Sequence, residues 1–335
     1  MASYIFPPIY AAFVWWFSTG AVLLLVGGAG RLHSLRLVSA TSLLVGSLFG
    51  LALTANDLSV GGAYAAFTCT ILLWGAQEIA FLAGWVTGPR PQPCSPGARG
   101  IRRLGLALQA ILYHELALLA CGAAILVLTW NGSNQVGLWT FVALWVLRQS
   151  AKINLFLGVP VTNDELMPDA VKFLKTYFAR KPVGAFFPVS VTLATAALVI
   201  MIQRIVEVAA TPFEVVSLTL VSTLFALGVV EHWFMLLPLP ALTLWGWGMR
   251  SSFPPEDNIM EQGPDTKAAA APPNLVMLSS VRPEAAPAKS QSACARQRLE
   301  DQFRQRFNEQ HPRNDLATAL SIGAEPAATL NGRTS

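Results

Sequence analysis

The sequence predicts an all-α integral membrane protein, a bundle of about seven transmembrane helices. Three observations predict it. Hydrophobic residues make up 53% and charged residues only 13% of the chain, against about 25% charged in a soluble domain, and the mean hydropathy is +0.49. Apolar runs of about 20 residues, the length that crosses a ~30 Å hydrocarbon layer, recur seven times. The Lys and Arg residues between them concentrate in alternate loops.

The expected spans are 5–29, 35–55, 60–87, 104–130, 136–159, 183–203 and 213–237. Pro238 and Pro240 then end or kink the last apolar run. Residues 239–249, with Trp245 and Trp247, read as an interfacial segment. Arg31 and Arg36 follow the first span, and Arg90, Arg99, Arg102 and Arg103 follow the third. Arg148, Lys152, Lys172, Lys175, Arg180 and Lys181 occupy the end of the fifth span and the loop after it, and Arg250 follows the seventh. Only Arg204 lies on the other side. Because basic loops stay cytoplasmic, the N-terminus is expected outside and the C-terminus in the cytoplasm. The first charged residue is Arg31, so the positive n-region of a signal peptide is missing.

Two segments are expected outside the membrane. Residues 163–180 read as an amphipathic segment on the cytoplasmic surface, with Val171, Leu174, Tyr177 and Phe178 apolar and Lys172, Lys175, Arg180 and Lys181 facing anionic headgroups. The 1–250 membrane domain is followed by a Pro- and Ala-rich tail, 251–335, expected to be largely disordered. Within it 295–310 spaces Leu299, Phe303 and Phe307 four apart among arginines, the pattern of a basic amphipathic helix. The net +4 sits mostly beside spans, so it signals membrane lipids and no nucleic acid.

Other motifs are weak. Cys69, Cys94, Cys121 and Cys294 have neither CxxC nor zinc spacing. Asn131-Gly132-Ser133 matches a sequon, and Gly46 and Gly50 form a GxxxG whose plain reading is close helix packing. No P-loop, dinucleotide fingerprint, Ser/His/Asp order or HExxH occurs, so hydrolysis and nucleotide chemistry have no support.

The chemistry-bearing residues lie inside spans. Residues 148–160, RQSAKINLFLGVP, place Arg148 and Lys152 one turn apart in an apolar segment, where a charge needs a partner, a route to the surface, or a task. Glu78, His114, Glu115, Glu231 and His232 complete the set. At 1.5 Å per residue, Glu78, Arg148, Lys152 and Glu231 fall about 18–27 Å from their outer helix ends, and His114 and Glu115 about 15 Å from the cytoplasmic side. One polar layer follows. It serves either as helix-to-helix glue, with Arg148 on Glu78 or Glu231 and Lys152 snorkelling, or as a site. Glu78, Glu115 and Glu231 are candidate metal ligands, although neighbouring His-Glu pairs point about 100° apart on a helix and Glu-x-x-His is absent. His114 or His232 could ligate the magnesium of a chlorophyll-type pigment, with Arg148 and Lys152 meeting a propionate, phosphate or anionic lipid. A transporter would also carry intramembrane ion pairs, but the halves show no inverted repeat.

The sequence resembles the photosynthetic complex assembly family called PuhE, of purple and related phototrophic bacteria. YHELALL (113–119), LWVLRQSAKINLFLGV (144–159), DELMPDAVKFLKTYF (164–178), FFPVS (186–190) and EHWFMLLPLP (231–240) carry the likeness, over about residues 1–250. The resemblance implies a multi-pass inner-membrane protein made alongside the reaction-centre H subunit. It further implies a part in assembling the photosynthetic apparatus and modulating bacteriochlorophyll supply, and no established catalysis. Bacteriochlorophyll or a precursor is then the expected cofactor, and reaction-centre subunits or pigment-biosynthesis enzymes the expected partners.

Overall fold

The computed structural model describes residues 2–27, 33–162, 164, 167–237 and 241–249, all within one compact unit spanning 1–262. The tail, including the expected helix at 295–310, lies outside the described residues. The described chain is helical: α1 (Ala2–Gly27), α2 (His33–Thr54), α3 (Val60–Leu82), α4 (Gly100–Thr129), α5 (Val136–Leu157), a 3-10 helix (Asp169–Tyr177), α6 (Phe186–Glu207), α7 (Pro212–Phe234) and α8 (Ala241–Met249).

Six of these, α1 to α4, α6 and α7, are long and apolar enough to cross a membrane. The expected fifth span is α5, equally long, but its apolar run is broken by Arg148, Gln149, Ser150, Lys152 and Asn154. It packs against α3, α4, α6 and α7, and this enclosure gives those polar groups protein partners. The central core joins Ala11 of α1, Leu51 of α2, Phe67 and Leu73 of α3, Leu118 and Ile125 of α4, Phe141 of α5, and Val216 and Leu220 of α7. Val45, Phe49 and Leu53 of α2, and Leu193 and Ile200 of α6, stay exposed on outward faces, as lipid contact requires.

Local chemistry sets the helix ends. The Ser59 hydroxyl caps α3 by accepting from the Gly62 N–H at 3.0 Å. α7 begins with a capping box between Thr211 and Glu214, with Pro212 at its first turn. Gly158, at φ 142°, closes α5, and Val159 then pairs in parallel with Arg180.

Three expectations change. The third span ends at Leu82, short of Thr87, because the chain reverses through Gly84 at φ 80°. Residues 83–90 then lie back along α4: Thr87 O accepts from the His114 N–H at 3.1 Å. A Cβ on Gly88 would stand 2.1 Å from the Gln109 carbonyl oxygen. Secondly, residues 169–177 form a 3-10 helix. At three residues per turn Val171, Leu174 and Tyr177 share one row, and that row is buried against Phe81 of α3 and Ala110 of α4. Thirdly, the segment expected at the interface docks on α1 through Trp245: its buried ring stands edge-on to Trp15, and its N–H donates to the Trp16 carbonyl at 3.1 Å. α8 comes this close because Gly20 and Gly248 face each other.

Of the GxxxG pair, Gly50 packs on Cys69 of α3 whereas Gly46 faces open space.

Candidate functional site

Helix register brings the charges to one level. The Thr70 hydroxyl of α3 donates to the Gly137 carbonyl of α5 at 3.1 Å, so α5 starts roughly 10 Å deeper than α3. Arg148, about 18 Å along α5, therefore arrives beside Glu78, about 27 Å along α3. Their contact is 3.2 Å from Arg148 Nη2 to Glu78 Oε2. The Arg148 side chain is 43% exposed and that of Glu78 13%.

Lys152 does not snorkel. It pairs with Glu115 of α4, both side chains about one-fifth exposed, and the Gln149 amide donates to the other Glu115 oxygen at 2.7 Å. Glu231 makes no ion pair with the described residues; it accepts the Trp15 indole N–H at 3.0 Å, tying α7 to α1. The layer thus holds three carboxylates: α5 engages Glu78 and Glu115, and α1 engages Glu231.

The histidines differ sharply. His232 is buried with both ring nitrogens engaged, Nδ1 on the Gly228 carbonyl at 2.7 Å and Nε2 on the Ser150 hydroxyl at 2.8 Å. His114 is fully buried and stacked on Phe81 with 4.2 Å between centroids, and neither nitrogen has a hydrogen-bond partner among the described residues. It lies within electrostatic reach of Glu78, Lys152, Arg148 and Glu115. To ligate a pigment, α3 and α4 would have to part at the Phe81 stack. Among the described residues no three His, Cys, Asp or Glu side chains are placed to hold a metal ion.

Sequence reading missed Trp15, Gln149, Ser150, Asn154 and Ser190. Asn154 bridges to the Ser190 hydroxyl of α6 at 3.0 Å. The available signal was the cluster of uncharged polar residues around Arg148 and Lys152, since a spanning helix that carries them needs partners on several neighbours.

On the basic side of the layer sits a cap. Arg103 donates to the Phe156 and Tyr177 carbonyls and lies 4.3 Å over the Phe156 ring. Arg90 donates to the Tyr177 hydroxyl at 2.6 Å and to Ser95 at 3.1 Å. Beside it Asp164 accepts from Thr162 at 2.7 Å and Arg180 at 2.5 Å. Partial burial pushes the Asp164 carboxyl up, but the Thr162 hydroxyl and the Arg180 guanidinium outweigh it and hold it down at about 2.

A polytopic helical membrane bundle with an ion-paired layer at one level, capped on its basic side, is the class of protein that fold and site define. Within that class, the chain belongs to the family described as "Protein of unknown function (DUF3623)", which matches residues 1–256. It is 40% identical over 256 residues to a Rhodobacter capsulatus protein described as "Uncharacterized 30.4 kDa protein in puhA 5'region", covering 75% of this chain and 93% of that one. No solved structure matches the chain.

Proposed function

We propose that this protein is a non-enzymatic assembly factor of the photosynthetic apparatus, seated in the inner membrane with its basic end in the cytoplasm. It supports reaction-centre assembly and modulates bacteriochlorophyll supply by holding reaction-centre subunits or pigment-biosynthesis enzymes at the membrane. The observation that carries this reading is the 40% identity, over nearly the whole relative, to a protein named for the puhA 5' region. The geometry is compatible with a scaffold, since the charges of α3, α4 and α5 are largely spent on joining helices. Deleting the gene in a phototroph is expected to lower reaction-centre and bacteriochlorophyll content under phototrophic growth. Unchanged levels of both would refute the proposal.

A second reading, a tetrapyrrole-binding protein, draws on the two nitrogens of His114, which have no hydrogen-bond partner among the described residues. Protein purified gently from phototrophic membranes would then carry a tetrapyrrole absorbance band that His114→Ala weakens. Colourless protein that co-purifies with reaction-centre subunits would favour the scaffold.

A further inference from the structure

α4 is longer than a membrane needs, and its excess length lies at the basic end. Its 30 residues reach about 45 Å. A ~30 Å hydrocarbon layer measured from Thr129 is used up near Gln109. The exposed apolar face does not stop there. Leu126, Leu119, Leu112, Leu108, Leu104 and Ile101 recur at helical spacing along one line, and Ile101 is 89% exposed. That line spans about 38 Å, which exceeds the hydrocarbon and fits inside the ~40–45 Å that includes the headgroups. Ile101 and Leu104 therefore fall at headgroup depth.

The arginines around this end divide into two kinds. Arg90 and Arg103 are consumed inside the cap, on Tyr177, Ser95 and Phe156. Arg99 and Arg102 flank Ile101, are exposed, and make no ion pair with the described residues. Two cations bracketing an apolar wedge that continues the lipid-facing line form an interfacial anchor, where the wedge enters the acyl boundary and the cations meet anionic headgroups.

We propose that the first turns of α4 form a binding surface for anionic phospholipid, with the phosphates on Arg99 and Arg102 and Ile101 inserted between the headgroups. The occupant is lipid rather than a protein partner because the surface is continuous with the lipid-facing stripe and opposite in charge to an anionic leaflet. Each cation beside such a leaflet raises binding about fivefold. The proposal stands apart from the assembly role, and neither depends on the other.

The test uses the full chain in nanodiscs of phosphatidylcholine alone or mixed with phosphatidylglycerol, read by thermal unfolding and by the lipid molecules retained in native mass spectrometry. Phosphatidylglycerol is expected to raise the unfolding temperature and to be retained preferentially, with both effects shrinking as salt is added. Arg99→Gln with Arg102→Gln should abolish most of the shift, and Ile101→Ser should reduce it, while Lys172→Gln, whose lysine already pairs with Asp169, leaves it intact. Inorganic phosphate in phosphatidylcholine discs should produce no shift. The proposal is overturned if the double arginine variant keeps the full shift, if Lys172→Gln removes it equally, or if free phosphate reproduces it.

Discussion

Removing Lys152 from its pair with Glu115 should cost far more than the distance of that pair from the central core suggests. Both side chains are about one-fifth exposed, so water screens them little. Lys152→Met leaves the Glu115 carboxylate with one remaining donor among the described residues, the Gln149 amide at 2.7 Å. Breaking a buried pair from one side costs about 3–5 kcal/mol; the remaining amide bond places this case at the low end, about 3 kcal/mol. Glu115→Gln should cost about the same, because it strands an ammonium instead. The double variant leaves no unpaired charge and should lose far less than the sum, which yields a coupling of about 2–3 kcal/mol. The Arg148–Glu78 pair behaves differently. With the Arg148 side chain 43% exposed, its long stem has room to turn the guanidinium towards the polar surface once Glu78 is lost, which should hold the coupling to about 1 kcal/mol or less. Reversible unfolding of the four variants of each pair in mild detergent measures both couplings. Equal couplings, or a larger one for Arg148–Glu78, would refute the ranking of the pairs by exposure.

Two further outcomes are expected. A Cβ on Gly20 would stand 2.0 Å from the Trp247 ring, so Gly20→Ala should destabilise by about 1–3 kcal/mol and loosen α8 from α1, seen as altered tryptophan fluorescence; Gly46→Ala, with nothing within 4 Å, should be neutral or slightly stabilising. The Asp164 carboxyl, held at about 2 when folded, stabilises the chain at every pH above its unfolded value of ~3.9. That contribution should fade as the pH falls from there towards about 2, and a pH titration of stability should show Asp164→Asn losing it throughout the neutral range.

The helices were largely legible because hydrophobic run length is a local property. Each expected span meets a helix, and the capped start of α7 lies within a residue of the expected one. The end of α3 was not legible, since Val86 and Thr87 look as apolar as a span while the reversal at Gly84 is made favourable by contacts with α4, some 25 residues on. Equally, Trp15 reads as one aromatic among several until α7 places Glu231 beside its N–H. Helical periodicity gives the direction of a side chain about its own axis, and says nothing of which neighbouring helix that direction meets.

By itself, then, the sequence determined a multi-helix membrane bundle, the residues able to carry charge inside it, and the basic end at which they gather. Composition and period suffice for that, because burying backbone in hydrocarbon leaves the helix as the available form. Only the tertiary structure decided the partners: Arg148 with Glu78, Lys152 with Glu115, Glu231 with Trp15, and His114 stacked on Phe81. These depend on the roughly 10 Å offset between α3 and α5, a quantity set by helix packing and loop contacts far apart in the chain. The offset converts Arg148 and Lys152 from two costly cations in one helix into the joints between three.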